Sequence, residues 1–97
     1  MLKNMVEQDQ SNTFARYGLA MEYVNTGALA QAIGEFRELL KTNPDYAAAY
    51  FHGAQTLEKV GDLEGARELY RQGIEVTTRT GDTHTRSELE GALALLG

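Results

Sequence analysis

The sequence predicts an all-α fold, built from short antiparallel helices that pack as consecutive pairs. Three observations predict it. The chain resembles itself at an offset of 34 residues. Its apolar residues recur at helical spacing. Glycine or proline breaks separate the helical runs at matching places.

Sliding the sequence by 34 residues brings Ala15 onto Ala49, Ala20 onto Ala54, Gly27 onto Gly61, Leu29 onto Leu63, Ala32 onto Ala66 and Arg37 onto Arg71. Tyr17, Phe36 and Leu40 fall on the similar Phe51, Tyr70 and Ile74. The matched positions are small, glycine or large apolar residues, the types that fix how closely helices pack.

A first helix carries Ala15, Leu19, Ala20 and Tyr23 on one face and breaks at Asn25-Thr26-Gly27. A second carries Leu29, Ala32, Ile33, Phe36, Leu39 and Leu40, and ends near Asn43-Pro44, where proline bars continuation. The next pair repeats the plan. Ala49, Tyr50, Ala54 and Leu57 lead to a turn at Gly61-Asp62, then Leu63, Ala66, Leu69, Tyr70, Gly73 and Ile74 follow. Gly27 and Gly61 suit the left-handed conformation that closes a helix. Asp45 and Asp62 are expected to cap the helices after them. Before the first pair, Leu2, Met5 and Val6 have the spacing of the tail of a preceding helix, with Asp9 to Asn12 as a turn. After the second, Gly81-Asp82-Thr83 opens a last helix with Leu89, Ala92, Leu93 and Leu96 on one face. It is expected to cover the final apolar face, as repeat arrays require. Ser87 and Glu88 stand where a further repeat would place small core residues.

These residues resemble the tetratricopeptide repeat, a helix–turn–helix unit of 34 residues. Residues 13–46 supply Leu19-Ala20, Tyr23, Gly27, Ala32, Phe36 and Pro44 at its signature positions. Residues 47–80 supply Tyr50, Ala54, Leu57, Gly61, Ala66 and Tyr70. The resemblance implies a short right-handed superhelix, or α-solenoid. Residues 1–12 would then be part of a preceding helix, 13–46 and 47–80 two repeats, and 81–97 a capping helix. Three positions depart from the pattern. Gly53 replaces a usual leucine, so a thin spot in the core is expected there. Gly73 replaces a usual alanine. Thr78 replaces the closing proline, so the fourth helix should run on to about Arg79.

Composition narrows the function. Ninety-seven residues make one domain at most. The absence of cysteine removes disulfides, thiol nucleophiles and cysteine-zinc sites. A formal charge of −5 with no basic stretch argues against nucleic-acid binding. The N-terminus MLKNMVEQDQ lacks the apolar run of a secretion signal, and no apolar stretch approaches membrane-spanning length. A soluble cytoplasmic location with no membrane partner is expected, for a whole protein or one domain of a larger chain.

No catalytic constellation is visible. His52 and His84 are the only histidines, and neither has a second at i+4, whereas a metal site needs several convergent ligands. Glu35, Glu38, Glu64, Glu68, Glu75, Glu88 and Glu90 fall on polar helix faces, several beside Arg37, Arg67 or Arg71. Glycines are scattered singly, and Ser11 and Ser87 lack a nucleophile motif. No metal, no cofactor and no enzymatic activity are expected.

The resemblance also implies that the first helix of each repeat lines a concave groove. Phe14, Tyr17, Met21 and Val24 lie on the first such helix, on the stripe expected to face away from the core. Phe51, Gln55 and Glu58 lie on the matching stripe of the second, with His52 and Lys59 beside it. Such apolar patches are scarce on monomer surfaces and mark interaction sites. The expected function is a scaffold that binds a peptide segment or partner protein in this groove. The alternative is a structural unit that self-associates, as a homodimer, through the same face. One subclass of the family clamps the carboxylate end of chaperone tails with lysine, asparagine and arginine. Tyr17, Met21 and Gln55 hold those places, with Arg86 the only basic candidate, so this chain should not be such a clamp.

Small residues at the helix contacts yield the first prediction. Replacing Ala20 or Ala54 by leucine should overpack the contact and lower stability by about 1–3 kcal/mol. Thermal melts check this, and a melting temperature unmoved by both substitutions would mean that the helices do not meet there.

Overall fold

The computed structural model describes residues 12–97. Among them are five helices and no strand: α1 (Thr13–Thr26), α2 (Leu29–Thr42), α3 (Ala47–Lys59), α4 (Leu63–Thr80) and α5 (Thr83–Leu96). Each packs on the next, and α5 also reaches α3. The expected preceding helix falls, apart from Asn12, outside the described residues.

The turns follow from backbone chemistry. Gly27, Gly61 and Gly81 all take φ between 80° and 85°, a region that side chains disfavour. The residue after each glycine donates its N–H back to a carbonyl of the finished helix: Ala28 to Tyr23, Asp62 to Leu57 and Asp82 to Thr77, at 2.8–3.0 Å. These bonds satisfy carbonyls that a helix end would otherwise strand. Asp62 then caps α4 by accepting from the Gly65 N–H at 2.9 Å. Asn12 caps α1 and Asp82 caps α5 in the same way. With no proline at Thr78, α4 runs to Thr80, one residue past the expected end.

Asp45 does not cap α3 as expected. The N-cap position is held by Tyr46, which makes no side-chain cap. The Asp45 carboxylate instead pairs with Arg79 at 2.5 Å, and that guanidinium holds its carboxyl below the usual carboxylate range. The α2–α3 turn is held further by the Tyr50 hydroxyl, which donates to the Pro44 carbonyl at 2.7 Å, and by Asn43, which donates to Thr13 at 3.0 Å.

Two large buried clusters form most of the core, beside a small third one of Ala15 and Leu19. One of the two joins Ala20, Ala32, Phe36, Leu39 and Ala49. The other joins Tyr50, Ala54, Leu57, Ala66, Tyr70 and Leu89. Leu89 is fully buried, and Ala92, Leu93 and Leu96 pack beside it, so α5 covers the last apolar face. Gly53 is not the thin spot expected from its sequence position. A Cβ there would stand 2.9 Å from Leu69 Cδ2 and 3.4 Å from Phe36 Cβ, so neighbouring side chains already fill the space. Gly73 is tighter still, 2.7 Å from Tyr50 Cβ and 2.9 Å from Leu89 Cδ1.

The glycines therefore predict opposite signs for one substitution. Gly34 lies mid-helix with nothing within 4 Å of a Cβ, so Gly34→Ala should stabilise by about 0.5–1 kcal/mol through helix propensity. Gly73→Ala restores the usual family residue, yet should destabilise by about 1–3 kcal/mol, because Tyr50 Cβ sits too near its own backbone to yield cheaply. Denaturant titrations of the two variants check both signs.

Candidate functional site

Helices α1, α3 and α5 carry the predicted groove residues and their neighbours. Tyr17 of α1 meets His52 of α3 edge to face, with ring centroids 6.0 Å apart. His52 in turn meets Phe51 at 5.3 Å and 85°. Such tilted and edge-on pairs suit the ring quadrupoles. An aromatic row thus crosses from one helix pair to the next.

The predicted stripe is not clear of the core. Phe14 is 73% exposed, but Tyr17, Met21 and Val24 are half-buried against the cluster around Phe36. Phe51 is half-buried against the second cluster and lies 6.5 Å from the Tyr70 ring. Helix α3 packs on α2, α4 and α5, so only a narrow arc of it stays clear of the core. Gln55 and Lys59 are exposed. With Glu58 they line a hollow of about 350 Å³. A separate hollow of about 280 Å³ lies between α2 and α4, floored by Leu40, Leu57 and Leu69 and rimmed by Arg37, Glu68 and Gln72.

Sequence reading missed Tyr46. It precedes α3, outside every helical period, and its ring lies 5.3 Å from Tyr17. Its aromatic character was the only available signal. Burial, then the neighbouring Tyr46, raises the Tyr17 hydroxyl above the ordinary tyrosine range. Glu58 also gains a defined role. Its carboxylate accepts from the Tyr70 hydroxyl, and burial followed by this bond pushes the Tyr70 phenol well above its ordinary value.

Burial holds His52 below the usual histidine range, with the Glu88 carboxylate pulling it up and Lys59 pushing it further down. Glu88 belongs to α5, so all three helices act around this ring. His84 is exposed and lies 3.8 Å from Glu88. Among the described residues no group of three or more histidines and carboxylates could hold a metal ion, and no helix is long and apolar enough to cross a membrane.

The sign of the His52 shift gives a pH dependence. Just below pH 6.5 the unfolded chain binds more protons at this residue than the folded one, so stability rises with pH in that window and levels off above it. The melting temperature should fall as pH drops below about 6.5, and His52→Gln should flatten that slope. A slope unchanged in the variant would place its origin at other groups.

Comparisons with known proteins agree with this architecture. A tetratricopeptide-repeat family model matches residues 47–78. A tetratricopeptide-repeat domain protein of Salinibacter ruber, solved in solution, is 34% identical, with a TM-score of 0.85 over 91% of this chain and 89% of that one. A repeat-containing protein of Pseudomonas aeruginosa is 26% identical over 91% of this chain and 84% of its own length. The type III secretion chaperone SycD of Yersinia enterocolitica, solved with a peptide of the translocator YopD, shares the fold at 16% identity. Its TM-score is 0.89 over 98% of this chain and 73% of that one. The matched helices, the 34-residue register and the Salinibacter relative together show that this chain belongs to the tetratricopeptide-repeat family.

Proposed function

We propose that the chain is a protein-interaction module that holds a segment of a partner protein against the face formed by Phe14, Tyr17, Met21, Val24, Phe51, His52, Gln55 and Lys59. The observation that carries this reading is the aromatic row of Tyr17, His52 and Phe51 across two helix pairs. Its rings are half-buried, so each is fixed by the core yet keeps surface for a partner. Rigid aromatic anchors of this kind dominate interface energies. The fold shared with a chaperone solved around a translocator peptide supports a peptide-sized partner. The reading is of a binder with no chemistry of its own.

A photo-crosslinking residue placed at Phe14 or Gln55 should capture a partner in cells of the source organism, and the same residue at the exposed Glu75 of α4 should not. Equal capture from Glu75 would sink the reading. Crosslinks solely to a second copy would turn it into the self-associating alternative. Phe14→Ser should weaken capture while moving stability by no more than about 0.5 kcal/mol, as exposed sites do. Tyr17→Ser should weaken capture and also cost about 1–3 kcal/mol, since half of its ring packs in the core.

A further inference from the structure

Phe51, Gln55 and Glu58 share one stripe of α3, and the first and last stand two turns, about 10 Å, apart. The stripe therefore runs from an aromatic anchor to a carboxylate. Glu58 is half-buried in the wall of the hollow that it shares with Gln55 and Lys59. The Tyr70 hydroxyl donates to its Oε2, which fixes the group, and Glu58 as a whole keeps part of its surface open to a partner. A fixed, partly desolvated carboxylate interacts more strongly than a mobile exposed one, because the dielectric is lower and less side-chain entropy is lost.

The surrounding charges are mixed. Glu88 of α5 acts on His52 from across the groove. The guanidinium of Arg86 is turned to Glu90 at 3.4 Å. Lys59 is the opposing charge, but it is exposed on a flexible four-carbon stem and can swing clear of an incoming cation. The chain as a whole carries −5, which steers basic partners towards it.

Building on the reading of this face as the binding groove, we propose that its partner is an extended, basic-apolar segment. One apolar side chain seats against Phe51 and His52. A lysine or arginine about three residues along, the count that spans about 10 Å of extended chain, reaches Glu58. An acidic segment would set its carboxylates against a fixed one of like charge.

Selection of phage-displayed random twelve-residue peptides on the full chain tests this. Enriched peptides should pair an aromatic or aliphatic residue with Lys or Arg three or four positions away, and should be poor in Asp and Glu. The best of them, synthesised and titrated by fluorescence anisotropy, should bind roughly fivefold more weakly to Glu58→Gln, the loss expected of one partly exposed ion pair. Added salt should narrow that gap. Glutamine keeps an acceptor for Tyr70, and circular dichroism confirms the fold. If that variant melts early, Glu88→Gln replaces it with the same expected direction. Peptides enriched without a basic bias, or an affinity unchanged in both variants, would overturn the proposal. If such peptides still lose affinity on Phe14→Ser, the groove reading survives alone. No enrichment at all, or a dimer in sedimentation that buries the stripe, would overturn both.

Discussion

At Gly53 the α3 backbone lies so close to Leu69 of α4 and Phe36 of α2 that even a methyl group would crowd them, at 2.9 and 3.4 Å. This close approach sets the spacing of the other elements. It wedges α3 between the two second helices. That position brings Ala54, buried beside Ala66, into the same contact and lets Phe36 and Tyr70 fill the space on either side. The same closeness recurs one helix later, where Gly73 lies against Tyr50 and Leu89. Interiors pack at crystal-like density, so a backbone brought this near leaves few alternative arrangements for the side chains around it. Two residues that depart from the family pattern thus become close joints between helices in this member.

Polar groups at the joints are handled locally. Thr56 and Thr77 are buried, and each hydroxyl donates to the carbonyl four residues back, His52 at 2.7 Å and Gly73 at 2.8 Å. No buried side-chain polar atom among the described residues lacks a partner. Arg16 and Glu35 join α1 to α2 at 2.6 Å with both side chains largely covered. The Asp45–Arg79 pair is exposed and worth little by itself. Its place is informative, since it ties the turn before α3 to the end of α4 and so closes that pair at its open end, as the Asn43–Thr13 hydrogen bond does for α1 and α2.

Helix order, the glycine turns and most of the core were legible because they depend on residue type at fixed spacing. A glycine that must take positive φ, or an alanine that must let a helix approach, is nearly the only residue that serves. Asp45 was misread because capping competes with ion pairing, and the competitor, Arg79, lies 34 residues away along the chain. Gly53 was misread because a missing side chain shows where volume is absent but not which distant residue supplies it. Tyr46 escaped notice because it belongs to no helix, so no period points to it.

The face proposed for binding was expected to lie clear of the core, and the half-burial of Tyr17, Met21, Val24 and Phe51 was not legible in the sequence. Periodicity divides a helix into a core side and a far side, which suits a helix packed on one neighbour. Here α3 touches α2, α4 and α5, so its apolar arc is wide, and Phe51 and His52 sit on its margin. Marginal positions are the ones that can serve twice. A fully exposed aromatic would lose conformational freedom when it bound, at a cost of about 0.5–1.5 kcal/mol for each side chain ordered. A ring already held by Phe36, Tyr46 or Tyr70 has met most of that cost in folding. The coupling has a consequence for sequence change: substitutions of Tyr17 or Phe51 also alter the core beneath them, whereas Gln55 and Lys59, exposed on the α3 surface, can change with little effect on the fold.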